Sequence, residues 1–337
     1  MEEIKQYTPK DFKSDQYVRW CPGCGDYAIL NSLQKVMADM GVAPQDIAVI
    51  SGIGCSSRLP YYINSYGFHT IHGRAAAIAT GVKIANPKLT VWQISGDGDG
   101  LAIGGNHFIH SVRRNIDINV LLFNNQIYGL TKGQFSPTTK KGMVTKSSPY
   151  GTIERPFRPA ELTFGARGTF FARLLDVDLK NAQETISAAA RHKGTSIVEC
   201  LVNCVIFNNG AHGWIAEKET RPDRIIFLEH GKPMIYGVNR DKGLMLDGFE
   251  LKAVTIGEYG ITEKDLLVHD AHCEDITLQY KLAMMEGPEM PIAMGVIRDV
   301  QTETYDQAME NQIAEVKEKS KIKCFDDLVG SLEQWEI

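Results

Sequence analysis

The fold is decided by residues 90–100, with the sequence TVWQISGDGDG, and by the asparagine pair Asn124-Asn125 that follows them. The apolar run at 90–95 predicts a buried strand, and the Gly/Asp turn after it leads into a helical stretch. A second apolar run, 118–123, predicts the next strand and delivers the asparagines. Strand, turn, helix and strand in this order predict an α/β fold with a doubly wound, mostly parallel sheet, in which both turns lie at one edge.

Oxygen atoms gather at that edge of the predicted sheet. The Asp97 carboxylate, the Asn125 side-chain carbonyl and the main-chain carbonyl of Ile127 are ligands of the kind that Mg²⁺ prefers. The glycines let the backbone approach a phosphate, and the next helix offers free N–H groups at its N-terminus. The alternative interpretation is two surface turns, because Gly, Asp and Asn favour turns for local reasons. The flanking strands and the asparagine pair favour the diphosphate and magnesium site.

Composition restricts the classes of function. The chain has 337 residues, a formal net charge of −5 and 43% hydrophobic residues, which is ordinary for a globular protein. The acidic balance and the lack of a dense Lys/Arg run argue against nucleic-acid binding. No apolar run approaches the roughly 20 residues of a membrane span. The acidic start at 1–4 is not followed by a long apolar core, so we expect no signal peptide and a cytoplasmic location.

The rest of the chain is divided by its turn residues and its apolar periodicity. We expect an N-terminal arm at 1–20, a main α/β domain at 21–205, a C-terminal part at 206–300 packed on the same domain, and a helical C-terminal extension at 301–337. Further strands are predicted at 47–51 and 195–202, and helices at 26–40, 73–86, 159–174, 181–193 and 307–319. Residues 129–160 form a long loop of a length that is more often functional than idle.

Four of the seven cysteines lie in or beside predicted turns. Cys21 and Cys24 form a C-x-x-C pair, Cys55 follows a strand in a glycine-rich turn, and Cys204 ends a later strand. Four thiolates suit a [4Fe–4S] cluster or a structural zinc ion equally well. A redox-active pair and inert thiols are the other interpretations. The spacing alone leaves these alternatives open.

Several motifs together resemble a known family. They are WCPGCG at 20–25, GIGCS at 52–56, HGRA at 72–75, GDGD at 96–99, NNQIYGLT at 124–131 and GQFSPT at 133–138. In this order they resemble the β subunit of the two-subunit 2-oxoacid:ferredoxin oxidoreductases, over roughly residues 15–300. The resemblance implies a thiamine diphosphate-binding fold of the diphosphate type, with Mg²⁺ and one [4Fe–4S] cluster in the domain at 21–205.

The resemblance also implies roles for single residues. The cluster ligands would be Cys21, Cys24, Cys55 and Cys204, with Cys200 as the alternative fourth ligand. Mg²⁺ would be held by Asp97, by the side chain of Asn125 and by the backbone of Ile127. Thiamine diphosphate would be lined by Ile53, Gly54, Cys55, Ser56, Gly98, Asp99, Gly129 and Leu130. Lys132 occupies a position that influences the choice of 2-oxoacid, and His72 belongs to a motif near the active site.

The implied reaction is a coenzyme A-dependent oxidative decarboxylation. The expected substrate is 2-oxoglutarate, which would give succinyl-CoA and CO₂, with pyruvate or a branched-chain 2-oxoacid as the alternative. Electrons would leave through the cluster to ferredoxin. A partner α subunit, in an αβ or (αβ)₂ assembly, would supply the pyrimidine-binding domain that this chain lacks. The competing class is an iron–sulfur or zinc module with a structural or regulatory role; a non-oxidative thiamine decarboxylase would leave four cysteines without a purpose.

Overall fold

The computed structural model describes residues 6–330, so the acidic start at 1–4 and residues 331–337 of the C-terminal extension lie outside the described residues. The strands are β1 (Ile47–Ser51), β2 (Tyr66–His69), β3 (Thr90–Gly96), β4 (Asn119–Asn124), β5 (Phe170–Leu175), β6 (Ser196–Leu201), β7 (Ile225–Leu228), β8 (Ile235–Tyr236), β9 (Lys242–Asp247), β10 (Glu250–Thr255) and β11 (Ile292–Asp299).

The helices alternate with these strands along most of the chain. They are α1 (Asp26–Asp39), α2 (Ala75–Ala85), α3 (Asp97–Leu101), α4 (Gly105–Arg114), α5 (Pro159–Gly165), α6 (Leu179–Arg191), α7 (Gly213–Ala216), α8 (Arg221–Arg224), α9 (Thr277–Met284), α10 (Tyr305–Lys319) and α11 (Phe325–Gly330). Short 3-10 helices lie at Pro9–Phe12, Pro44–Asp46, Ser56–Tyr62 and Glu263–Asp265. None of the helices within residues 6–330 is long and apolar enough to cross a membrane.

One large sheet organises the chain, in the strand order β2-β1-β3-β4-β6-β5-β11-β7. Neighbouring strands are parallel except β11 and β5, which pair antiparallel. The α/β class and the mostly parallel sheet are therefore confirmed. The strands predicted at 47–51, 90–95, 118–123 and 195–202 match β1, β3, β4 and β6 to within one residue.

Two hydrophobic clusters cover the two faces of this sheet. One face packs against α1 and α6, through residues such as Leu33 and Ile186. The other packs against α2, α4 and α5, through Ala79, Phe108 and Phe164. Alternate residues of β1 belong to the two different clusters, as the period of two along a strand requires. The core therefore lies on both sides of a buried sheet, and the loops at its carboxyl end are free to form a site.

The predicted helix at 159–174 is wrong in its second half. Helix α5 ends at Gly165, Arg167 takes a left-handed backbone with φ 62°, and residues 170–175 form β5. This strand pairs with β6 on one side and with β11 on the other. Pairing with strands distant in sequence, together with the aromatic pair Phe170-Phe171, outweighs the helical spacing of the apolar residues.

Strands β2 and β11 and helix α9 are not predicted by the sequence pattern. The segments 6–20 and 206–300 also contain more ordered structure than the sequence predicts. Phe12 lies in a 3-10 helix and Trp20 follows it, and both are buried within the segment predicted as an extended arm. In the part at 206–300, β7 and β11 join the large sheet, while β8, β9 and β10 form a small antiparallel sheet. The division into four segments stays a prediction.

Candidate functional site

A cavity of about 540 Å³ opens at the carboxyl ends of β1, β3 and β4, where a doubly wound sheet usually binds its ligand. Most residues with predicted roles line it. They are Ile53, Gly54, Cys55, Ser56, His72, Asp97, Gly98, Asp99, Asn125, Ile127, Gly129 and Leu130. The parallel strands thus bring together predicted residues from position 53 to position 130 of the chain.

Asp97 is the first residue of α3 and is buried beneath the cavity. The hydroxyls of Ser136 and Thr138 donate to its Oδ2, each at 2.5 Å. Burial raises the pKa of the Asp97 carboxyl to about 6, although these two hydroxyls oppose the rise. Both hydroxyls reach the same oxygen, and the backbone N–H of Gly98 also contacts the carboxylate. A buried carboxylate that lines the cavity and has hydroxyls on one oxygen fits a Mg²⁺ ligand.

The two asparagines face different surroundings. Asn125 lines the cavity, and its Oδ1 accepts the N–H of Ile127 at 3.1 Å, which brings the backbone of Ile127 beside the amide. Asn124 is buried behind the cavity, where its Oδ1 lies 2.9 Å from Thr138 Oγ1. Asn125 is therefore the member of the pair whose side chain can reach a ligand in the cavity.

Asp99 holds two turns of the cavity wall together. Its Oδ1 accepts the N–H groups of Ile53 at 3.0 Å and Gly73 at 2.7 Å, and it lies 3.1 Å from His72 Nδ1. Burial raises the pKa of Asp99, and these contacts oppose the rise. Gly52 is required here, because a Cβ at this position would lie 2.0 Å from Asp99 Oδ2. The side chain of Asp99 thus organises the turns that follow β1 and β2.

Tyr128 forms part of the cavity wall, although its motif predicts no role for it. Its hydroxyl donates to the carbonyl of Gly98 at 2.9 Å, and its ring lies beside His72 with 6.1 Å between the ring centroids. A Cβ on Gly98 would lie 2.3 Å from the Tyr128 ring, so this glycine permits the ring to cross over the Gly/Asp turn. Burial and the charges of Asp97 and Asp99 raise the pKa of Tyr128 to about 12.

Two of the four turn cysteines, Cys55 and Cys204, come together beside Gly129 of the cavity wall, and Cys21 and Cys24 interact electrostatically with Cys55 or its neighbours. The sulfurs of Cys55 and Cys204 each lie 3.6 Å from the place that a Cβ on Gly129 would take. Burial, followed by the charges of Asp26, Cys204 and Cys21, raises the pKa of Cys55 to about 12. Burial and Asp26 also raise the pKa of Cys24, with Cys55 and Cys204 contributing. Burial therefore favours the protonated form of the Cys24 and Cys55 thiols.

Backbone contacts hold these cysteine turns in place. The indole N–H of Trp20 donates to the carbonyl of Cys55 at 2.6 Å, and the N–H of Gly25 donates to the carbonyl of Asn203 at 3.2 Å. Cys200, in contrast, is fully buried in β6 as part of the core. Within residues 6–330, no group of three or more His, Cys, Asp or Glu side chains is arranged so that it could hold a single metal ion.

Asp26 is a site residue that the sequence reasoning missed. It lines the cavity, accepts a hydrogen bond from the Cys24 thiol, and is buried so that its pKa rises to about 7. Its position directly after the C-x-x-C turn, at the start of α1, was the available signal.

Lys132, like Cys21, Cys24 and Cys204, is a predicted site residue that the structure places outside the cavity lining. It lies exposed, with a left-handed backbone of φ 76°, although Thr131 before it and Gln134 after it both line the cavity. Its role in the choice of substrate stays a prediction.

Comparison with known proteins places this geometry in a family. The family described as "Thiamine pyrophosphate enzyme, C-terminal TPP binding domain" matches residues 52–200. The chain is 44% identical to 2-oxoglutarate oxidoreductase subunit KorB of Mycobacterium tuberculosis, over 97% of this chain and 88% of that relative. It is 45% identical to 2-oxoglutarate synthase subunit KorB of Archaeoglobus fulgidus, over 55% of this chain and 69% of the relative.

A solved structure matches along almost the whole length. It is the 2-oxoglutarate:ferredoxin oxidoreductase of Magnetococcus marinus with 2-oxoglutarate, coenzyme A and succinyl-CoA bound. The TM-score is 0.78 and the identity 31%, over 98% of this chain and 98% of that chain. These matches confirm the resemblance that the motifs indicated. The chain belongs to the β subunits of the 2-oxoacid:ferredoxin oxidoreductases, which are thiamine diphosphate-dependent enzymes.

Proposed function

We propose that this chain is the β subunit of a 2-oxoglutarate:ferredoxin oxidoreductase, which converts 2-oxoglutarate and coenzyme A to succinyl-CoA and CO₂. One observation carries the proposal: Cys55 lines the same cavity as Asp97 and Asn125 while its sulfur neighbours that of Cys204. Cys55 therefore belongs both to the oxygen-lined cofactor cavity and to the cysteine site that would carry electrons away. The relatives from M. tuberculosis and A. fulgidus bear the name of 2-oxoglutarate, and the M. marinus enzyme contains it.

Thiamine diphosphate and Mg²⁺ fit the oxygen-lined half of the cavity. Oδ1 of Asp97, the side chain of Asn125 and the backbone of Ile127 would hold the metal ion, and the N–H groups of the Gly/Asp turn would face the diphosphate. The cofactor, when bound, supplies the nucleophilic carbon and the electron sink for decarboxylation of a 2-oxoacid. The residues of this chain would bind and orient it.

The thiol half fits a [4Fe–4S] cluster held by Cys21, Cys24, Cys55 and Cys204. Thiolates are the ligands that such clusters take, and a four-thiolate zinc site has the same ligand set. Family membership supports the cluster, since an oxidoreductase of this kind must pass electrons on to ferredoxin. Iron and zinc content, measured after anaerobic purification, separates this function from that of a structural or regulatory zinc module.

Two side chains are proposed to act near the substrate. His72 stands in the cavity wall between Asp99 and Tyr128, with 36% of its side chain exposed. Lys132 sits at the tip of a loop whose residues 129–131 line the cavity. A cation at that tip suits the second carboxylate of 2-oxoglutarate, which pyruvate lacks.

The mouth of the cavity supports an α partner. Ile71, Ile103 and Leu130 are 73%, 52% and 43% exposed around or near it, and exposed apolar side chains at a cavity mouth are typical of a covered surface. A partner subunit there would close the cavity and bring its pyrimidine-binding domain to the cofactor. We therefore propose an αβ or (αβ)₂ assembly that works in the cytoplasm and passes electrons to ferredoxin.

The test is turnover of the assembled complex. The chain, produced anaerobically with its α partner, should reduce a viologen dye with 2-oxoglutarate in the presence of coenzyme A, and faster than with pyruvate or a branched-chain 2-oxoacid. The chain alone, supplied with the same cofactors, should be inactive. Rapid turnover of pyruvate with little turnover of 2-oxoglutarate would overturn the substrate, and full activity of the chain alone would overturn the assembly.

A further inference from the structure

An ion pair lies inside the large sheet, away from solvent. Arg173 of β5 stands directly opposite Glu199 of β6, and its Nε donates to Glu199 Oε2 at 2.8 Å. Their side chains are only 10% and 4% exposed. The two remaining guanidinium nitrogens donate to the carbonyls of Ala293 in β11 and Ala283 in α9. A buried ion pair stabilises a fold no better than apolar residues of similar volume do, so its position calls for another role.

The other oxygen of Glu199 points toward the functional site. Glu199 Oε1 accepts the Nδ2 group of Asn124 at 2.8 Å. Because an ionised carboxylate only accepts hydrogen bonds, Asn124 must turn its NH₂ group to Glu199 and its Oδ1 away. That Oδ1 lies 2.9 Å from Thr138 Oγ1, which is 2.5 Å from Asp97 Oδ2. A continuous buried chain of contacts thus joins the ion pair to the carboxylate under the cavity.

We propose that Glu199, held by Arg173, is a positioning residue for the metal-binding carboxylate of Asp97. Glu199 fixes the orientation of the Asn124 amide, so that the Asn124 oxygen is the second acceptor beside the Thr138 hydroxyl and limits how that hydroxyl is shared with Asp97. Thr138 and Ser136 then hold Oδ2 of Asp97, so that Oδ1 is presented to Mg²⁺. This inference rests on the proposed function.

The direction of the Asn124 amide matters because Thr138 has a single hydroxyl proton. The hydroxyl stands between two acceptors, Asp97 Oδ2 and Asn124 Oδ1, and can donate to only one at a time. If Glu199 no longer accepted from Asn124, the amide could turn over and donate to Thr138, which would change the contacts of Asp97. Mg²⁺ demands near-ideal octahedral geometry, so a small displacement of the carboxylate weakens binding.

The arrangement gives the C-terminal part of the chain a share in the site without contact to the cavity. Helix α9 and strand β11 hold the guanidinium of Arg173 through two carbonyls, and neither carbonyl belongs to a residue that lines the cavity. A change in their packing would reach Asp97 through the buried contacts alone.

The test uses the double variant Arg173→Met/Glu199→Gln in the assembled complex with the α partner. Replacing both charges by neutral side chains of similar size leaves no unpaired buried charge, so the variant should fold. The new amide at position 199 can present either its oxygen or its NH₂ group to Asn124 and no longer fixes it. The measurement is calorimetric binding of thiamine diphosphate at a series of Mg²⁺ concentrations. The Mg²⁺ concentration for half-maximal binding should rise about 10- to 100-fold, as for other outer-shell partners of metal ligands.

The matched control is Lys83→Met, which breaks a second buried ion pair. Lys83 Nζ lies 2.8 Å from Asp117 Oδ2, with side chains 6% and 18% exposed, outside the cavity lining. This variant should lose thermal stability and keep the wild-type Mg²⁺ dependence. A shift of equal size in both variants would mean that Glu199 acts only through general stability, and it would overturn the proposal.

Thr138→Val and Thr138→Ser test the same chain of contacts at its other end. Valine removes the hydroxyl at nearly constant volume and should raise the Mg²⁺ requirement, whereas serine keeps the hydroxyl and should restore it. Wild-type Mg²⁺ dependence in either the double variant or Thr138→Val contradicts the proposal. If the wild-type complex binds no thiamine diphosphate with Mg²⁺ present, the proposed function fails instead, so the two failures are distinguishable.

Discussion

The oxygen half and the sulfur half of the cavity are built in different ways. Asp97 is fixed by two short hydrogen bonds from its own chain, and Asn125 is fixed by the N–H of Ile127. Cys55 and Cys204 are brought together by the backbone of their turns, and burial raises the pKa of Cys55 to about 12. The side chains proposed as oxygen ligands are therefore oriented by hydrogen bonds within the chain. In the proposed site, the protonated thiols would have to lose their protons to ligate a cluster, so cluster insertion would be coupled to proton release.

Asp97→Ala should have the largest effect on the oxygen half. It removes the proposed metal ligand itself, so the loss of thiamine diphosphate affinity should exceed the roughly 100-fold that outer-shell partners contribute at most. Calorimetry with Mg²⁺ measures this affinity. Iron content should not change, since the four cysteines are untouched; a variant that loses iron together with cofactor would show that the two halves do not assemble independently.

Cys55→Ala should break the sulfur half and leave most of the oxygen half in place. We expect loss of the iron chromophore and of dye reduction, with thiamine diphosphate still bound, because Asp97 and Asn125 keep their hydrogen bonds. The matched control is Cys200→Ala, which removes a thiol from the core of β6 and should keep the iron. If Cys200→Ala lost its iron and Cys204→Ala retained it, the fourth cluster ligand would be Cys200 and not Cys204.

Gly52→Ala should disturb the wall between the halves to a smaller degree. The Cβ of the new alanine would lie 2.0 Å from Asp99 Oδ2, so the Asp99 side chain must shift. This shift weakens the hydrogen bonds that Asp99 accepts from the N–H groups of Ile53 and Gly73. We expect a loss of about 1–3 kcal/mol in the free energy of unfolding, as for other overpacked sites, with weaker cofactor binding. Gly81→Ala, in α2 with open space around it, should instead gain up to about 1 kcal/mol.

A change of pH should produce the smallest effect, which is a change in the thermal stability of the cofactor-free chain. Burial raises the pKa of Asp26 from 3.8 to about 7, so the fold favours the neutral acid. The corresponding stability is complete below about pH 4 and is lost as the pH rises through about 7. We expect the Tm of the wild-type chain to fall by a few degrees between about pH 5 and about pH 8. The Tm of the Asp26→Asn variant should fall less over the same range. An equal fall of Tm with pH in the wild type and in Asp26→Asn would contradict a raised pKa of Asp26 as the cause.

The sequence predicts the part of the site that depends on strand ends. Residues such as Asp97 and Asn125 follow buried apolar runs, and parallel strands place their carboxyl ends together whatever lies between them. The ranges of β1, β3, β4 and β6 follow from the same runs, because each is bounded by turn residues.

The missed features depend on contacts between residues distant in sequence. Strand β5 carries Arg173 within an apolar run and is recognisable only once it lies between β6 and β11. Strand β2 is an exposed edge strand that pairs with β1 alone among the described strands, so its sequence has no buried pattern. The relay from Arg173 and Glu199 to Asp97 likewise appears only when β4, β6 and β5 are neighbours.

The most direct test of the account asks whether the two halves exchange electrons. Under anaerobic conditions, 2-oxoglutarate is added to the assembled complex, and the reduced cluster is followed by electron paramagnetic resonance. The account predicts a substrate-dependent signal in the wild type and none in Asp97→Ala, while dithionite produces the signal in both. A signal of equal size in Asp97→Ala after adding substrate, or none in a wild type that dithionite can reduce, would contradict it.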